Sequence, residues 1–173
     1  AELNIDQRQR EHFLREARAV AALKHPNIIQ AYKVGQDCGI AFFATEYVEG
    51  NTLGCLIEKQ GKIKVEMALK MALAITDALN YAWNHSRLIH RDIKPDNIMI
   101  LHNGDVKLMD FGLSSRPGDD LDDPDRLCGT PQYMAPEVIS HKAIDQRSDF
   151  YSVGAALYES LSGQAVFWGN AHE

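Results

Sequence analysis

At 173 residues the chain suits one ordinary domain, and its 45% hydrophobic and 24% charged residues exclude a disordered polypeptide. A formal charge of −6 argues against a nucleic-acid surface, which needs a basic stripe, and no apolar run reaches the roughly 18 residues of a membrane span. Cys38, Cys55 and Cys128 are odd in number, far apart and in no CxxC spacing, so they read as reduced thiols of a cytoplasmic chain; an anchor outside this stretch is left open.

Residues 5–24 have the spacing of a helix, with Phe13, Ala17, Val20 and Ala21 recurring among charged residues until His25-Pro26-Asn27 stops it. Two short β-like runs follow, Ile28 to Val34 and Ile40 to Thr45, separated by a turn-prone stretch from Gly35 to Gly39. Glu49-Gly50-Asn51-Thr52 breaks the second run, and Thr52 is placed to cap a short helix beginning at Leu53. Residues 65–85 give the clearest helix, with Leu69, Leu73, Ile75, Leu79 and Ala82 expected on one face. Ile98 to Leu101 and Val106 to Met109 read as two strands of a hairpin turning at Asn103-Gly104. Residues 113–127 are polar and irregular, and a last helix is expected from Gln146 to Leu161.

Within this frame, His90-Arg91-Asp92-Ile93-Lys94-Pro95-Asp96-Asn97 fills every fixed position of an HRDxxxxN loop. Asp110-Phe111-Gly112 begins 18 residues after Asp92, and Ala135-Pro136-Glu137 follows. Three such triplets in order, with a hairpin between the first two, are far more specific than any one alone. In these residues the chain resembles the eukaryotic-type serine/threonine protein kinases. The resemblance implies an α+β, two-lobe fold and ATP- and Mg2+-dependent phosphoryl transfer to Ser/Thr hydroxyls of a protein substrate, with no nucleic acid as partner.

The chemistry suits the residue types, because phosphoryl transfer asks a protein mainly to position groups and neutralise charge. Asp92 would orient the attacking hydroxyl and accept its proton, and Lys94 would meet the γ-phosphate. Asn97 and Asp110 are short oxygen ligands for Mg2+. By the same resemblance Thr45 is the residue at the back of the adenine pocket, and the Glu46 carbonyl and Val48 amide hold adenine over Met99. As residue types alone, Met99 is equally a core methionine, and Asp149 equally a first-turn aspartate favoured by the helix dipole. The resemblance makes Asp149 the buried group that ties the last helix to the catalytic loop. It packs His90 with Phe111 beneath that loop rather than using it as a base. Thr130 is either a turn hydroxyl or the threonine that bonds Asp92 and Lys94. Glu16 is either an exposed helix charge or the partner of a strand lysine.

The sequence also departs from the family pattern. No GxGxxG precedes Glu16, and the first lysine, Lys24, lies after it. The C-terminal arginine that would pair with Glu137 is not evident either. The expectation is a partial kinase domain over 1–173: 1–45 from the small lobe, 46–51 the hinge, 52–173 a truncated large lobe. Such a chain would itself be weak in activity, and a non-catalytic, kinase-like interaction module is the alternative. Arg91 resembles the arginine that orders an activation segment by pairing with a phosphate. Here Asp119, Asp120, Asp122, Asp123 and Asp125 are either a solvated acidic loop or carboxylate stand-ins for that phosphate. The runs Glu46 to Gly50 and Gly129 to Glu137 resemble bacterial members of the family.

Overall fold

The computed structural model of the chain describes residues 19–37, 40–111, 114–117 and 129–167. An antiparallel ribbon comes first, β1 (Ala31–Asp37) with β2 (Ile40–Thr45). Next are β3 (Gly50–Thr52), helix α1 (Leu53–Gln60) and the long helix α2 (Val65–Ser86). The hairpin of β4 (Ile98–Leu101) and β5 (Val106–Leu108) joins β3 in a three-stranded antiparallel sheet of order β3-β4-β5. A single turn of helix, α3 (Pro136–Ile139), precedes α4 (Gln146–Ser162). Among the described residues no helix is long and apolar enough to cross a membrane.

Side-chain chemistry sets the helix ends. Thr52 Oγ1 accepts the Cys55 N–H at 3.2 Å and starts α1, and Gly61, at φ 78°, closes it by donating to Ile57 O. The Asp145 carboxylate accepts the Arg147 N–H at 2.9 Å and starts α4. At the hairpin turn Gly104 has φ 82°, and Asn103 Oδ1 accepts the Asp105 N–H.

Three expectations are corrected. The first concerns α2, whose buried face is Ala68, Met71, Ile75, Ala78, Leu79 and Ala82, while Leu69 and Leu73 are 49% and 74% exposed. This helix packs on α4, whose own buried residues are small: Ser148, Ser152, Ala155, Ala156 and Ser160 among them. The face that α2 buries is the one its neighbours cover, whatever the hydrophobicity of the side chains left outside. Secondly, the second run does end at Thr45, but Gly50 to Thr52 then form a strand of their own. A Cβ at Gly50 would lie 2.4 Å from Ile100 O, so glycine is what lets the two backbones pair. Thirdly, the first strand starts at Ala31, because Ile28 is diverted into a parallel bridge with Leu108. It then continues through Gly35, which lies opposite Phe42 and under that ring. Of the helix expected over 5–24, the described part is its end at residues 19–21. Val20 and Leu23 there join the same core as Met71, Ile75, Ile98 and Leu108.

Candidate active site

The loop from Leu88 to Asn97 is fixed from below. Leu88, Ile89 and Ile93 are buried, and Ile89 exchanges both backbone hydrogen bonds with Ser115. The fully buried Asp149 of α4 accepts the backbone N–H of His90 at 2.7 Å and that of Arg91 at 2.9 Å. Burial pushes its carboxyl above the usual carboxylate range, against the pull of the nearby His90 and Arg91. Arg91 has φ 71°, so the chain turns sharply between the two donated bonds and Asp92.

Both nitrogens of His90 are engaged. Nδ1 accepts the Asp92 N–H at 3.3 Å, which leaves the proton on Nε2 to be donated to Met109 O at 2.9 Å. Its ring meets Phe111 edge-on, with centroids 4.6 Å apart. A neutral imidazole used at both ends braces the loop and has no lone pair left for a substrate proton.

Asp92 collects donors from three side chains. Thr130 Oγ1 donates to Oδ1 at 2.7 Å, while Lys94 Nζ at 2.8 Å and Asn97 Nδ2 at 3.0 Å reach Oδ2. Lys94 Nζ also donates to Thr130 Oγ1 at 3.0 Å, and Asn97 Nδ2 to the Asp92 carbonyl at 2.7 Å. Burial acts to raise the Asp92 carboxyl, but the bonds from Lys94 and Thr130, the Lys94 charge and the Asn97 bond together hold it below the usual range. Thr130 spends its hydroxyl on this network rather than on capping the turn Pro131–Tyr133. The turn is held from α4, where Ser152 Oγ donates to Tyr133 O at 2.7 Å and Glu159 accepts the Tyr133 hydroxyl. Burial, reinforced by that carboxylate, raises the Tyr133 hydroxyl far above its ordinary value.

With Nδ2 used twice, Asn97 keeps Oδ1 as an acceptor. The Met109 N–H donates to Asn97 O at 2.9 Å, which sets Asp110, at φ 56° and exposed, beside it. Among the described residues no group of three or more His, Cys, Asp or Glu could hold a metal alone. Two oxygen ligands suit an ion that keeps waters and shares phosphate oxygens.

Upstream, Thr45 is the exposed last residue of β2, paired with Ala31, and Val48 is half-buried beyond the exposed Tyr47. Met99 is buried at the centre of β4. Glu137 is half-buried in α3, with its carbonyl accepting the Lys142 N–H at 2.9 Å. Glu16, Gly112 and the aspartates from Asp119 to Asp125 lie outside the described residues. Sequence reasoning missed Ser152, Tyr133, Glu159 and Lys107. Of these, Ser152 and Glu159 carried a signal, as polar residues three and ten places after Asp149 on one helix.

A family model described as the protein kinase domain matches residues 2–173. A probable serine/threonine-protein kinase of Streptomyces coelicolor is 38% identical, over 99% of this chain and 26% of that protein. The serine/threonine-protein kinase PknB of Mycolicibacterium smegmatis is 38% identical over 92% of this chain and 26% of its own length. A probable serine/threonine-protein kinase of Clostridium perfringens is 36% identical over 92% of this chain and 23% of its own length. The chain thus spans about a quarter of the length of these curated relatives.

Proposed function

The chain belongs to the protein kinase domain family, with that family's two-lobe α+β fold, and from this premise we propose that it transfers the γ-phosphoryl group of ATP to Ser or Thr hydroxyls of a protein. The observation that carries the reading is the set of donors on Asp92, supplied by Lys94, Asn97 and Thr130 from two separate segments. Nothing in a plain turn needs such a convergence. It fixes a carboxylate in one rotamer, so that an incoming hydroxyl is oriented as much as it is deprotonated. An anion held below the ordinary range is a weak base, and that fits a loose transition state in which the proton leaves late.

Lys94 would move its ammonium from Asp92 to the transferred phosphoryl group, with Thr130 keeping the carboxylate aligned. Asn97 Oδ1 and the Asp110 carboxylate would hold Mg2+, which when bound neutralises charge across the phosphates. The Glu46 carbonyl and the Val48 N–H would take the adenine edge, with Met99 beneath the ring. Residues 46–51 then serve as the hinge between the small-lobe residues before them and the large-lobe residues from 52 onward. Intact Asp92, Asn97 and Asp110 speak against the non-catalytic alternative.

The test is transfer of radiolabelled phosphate to a generic Ser/Thr substrate by the polypeptide that carries these 173 residues. Asp92→Asn is expected to lower kcat by about 100-fold or more with little change in ATP affinity. A variant that keeps more than about a tenth of the wild-type rate would remove Asp92 from the role assigned to it.

A further inference from the structure

Glu46 lies in the connection from β2 to β3, and Lys107 is the middle residue of β5. Lys107 Nζ donates to Glu46 Oε1 at 2.6 Å, and the same oxygen accepts the Gln30 N–H at 2.8 Å. The Glu46 N–H returns a bond to Gln30 O at 2.9 Å, so both backbone and carboxylate of Glu46 grip one residue of the preceding segment. The two charged side chains are only 21% and 17% exposed, well outside the regime of an ordinary surface pair. Burial acts to raise the Glu46 carboxyl; the bonds from Lys107 and Gln30 and the ammonium charge outweigh it and hold the group low.

Position makes this pair more than a fastening. Lys107 stands directly across from Met99 in the β4–β5 pairing, and cross-strand partners project from the same face of a sheet. The lysine stem therefore leaves the sheet beside the residue that floors the adenine site, and its charge ends on the residue whose carbonyl borders that site. Around it, Asn27 Nδ2 donates to Val106 O and Ile28 bridges Leu108, so the joint spans the whole of β5.

We infer that the Lys107–Glu46 ion pair is a positioning device that holds the backbone of Glu46 and Val48 at a set height over Met99, and thereby sets affinity for the adenine ring. The inference rests on the adenine site proposed above. It involves no reacting atom, so it bears on nucleotide binding and leaves the transfer step alone.

The experiment is equilibrium binding of ADP, with tripolyphosphate as a probe that lacks adenine, to the polypeptide carrying this chain. Glu46→Gln and Lys107→Met are each expected to weaken ADP binding about five- to tenfold, the double variant no further, and Lys107→Arg less than about twofold. Tripolyphosphate binding should be unchanged throughout, and in phosphate transfer KM for ATP should rise at constant kcat. Unchanged ADP affinity in both single variants, additive losses in the double variant, or equal losses for the two probes would each overturn the inference. Lys107→Arg keeps the positive charge, and a large loss of ADP affinity in it, with urea unfolding unchanged, would also count against the pair. Wild-type protein that binds no ADP would overturn the adenine site itself. If it binds ADP through the pair yet transfers no phosphate, only the proposed reaction falls.

Discussion

The loop from Leu88 to Asn97 and the ribbon β1–β2 stand on either side of residues 46–51 in the chain, and they are held in contrasting ways. In the loop, His90, Asp92 and Asn97 are buried, and each has a partner outside it: His90 bonds Asp149 and Met109, Asp92 bonds Thr130, and Asn97 O accepts the Met109 N–H. In the ribbon Tyr32 is 71% exposed, Phe42 37%, and Lys33, Ala44 and Thr45 also face solvent. The difference teaches where precision is needed. Groups proposed to meet the reacting atoms sit where α4 and the hairpin fix them, whereas the ribbon is held to that base through Asn27, Ile28, Gln30 and Glu46. Substitution at the solvent-facing positions of the ribbon should therefore matter least.

The largest effect that would test this contrast is at Asp149. Asp149→Ala strands one buried and one partly buried N–H, and is expected to cost about 2–4 kcal/mol in urea unfolding. A loss below about 1 kcal/mol would mean that the loop is not hung from α4. Met71→Ala, on the buried face of α2, should cost about 2–5 kcal/mol by the same measurement. A pH series sharpens the picture further. Because the folded-state carboxyl of Asp92 is lowered, its stabilising contribution is complete above its unfolded pKa of about 3.9 and disappears as pH falls through the folded value. The stability gap between wild type and Asp92→Asn should therefore be constant at neutral pH and close in acid. Asp149 has the opposite sign: its raised carboxyl costs stability as pH rises from about 3.9 through its folded value. The smallest effects belong to solvent-facing positions, where Tyr32→Ala in the ribbon and Leu73→Ala on α2 should each stay within about 0.5 kcal/mol.

Leu73 also marks how far the sequence could be read. The hairpin, the Thr52 cap and the extents of α2 and α4 follow from local chemistry, and local chemistry is what a sequence displays. Asp92, Asn97 and Asp110 stand out in the sequence because a fixed spacing carries them, and the fold brings Asn97 onto Asp92. The inward face of α2 was not legible, since hydrophobicity ranks leucine above alanine, while the elements packed on the helix bury Ala68 and Ala78 and leave Leu69 and Leu73 outside. Gly50 looked like a breaker, because the reason for a glycine there is a carbonyl 50 residues away, at Ile100. Lys107 and Glu46 are 61 positions apart, and neither charge announces the other. Pairings of that kind exist only once the chain has folded.

The bridge between Ile89 and Ser115 has a bearing on chemical modification. Ser114 and Ser115 are both buried, Ser114 Oγ donates to Phe111 O at 2.8 Å, and Ser115 is bonded to Ile89 through both its N–H and its carbonyl. An enzyme that acts on a hydroxyl must first surround it, so neither serine can be labelled while this segment stays docked. The order of events is thereby imposed: detachment from Ile89 comes before any covalent mark. A phosphate found on either serine would be a record of time spent undocked, written by whichever enzyme was present, and its slow accumulation would clock how often the segment lets go.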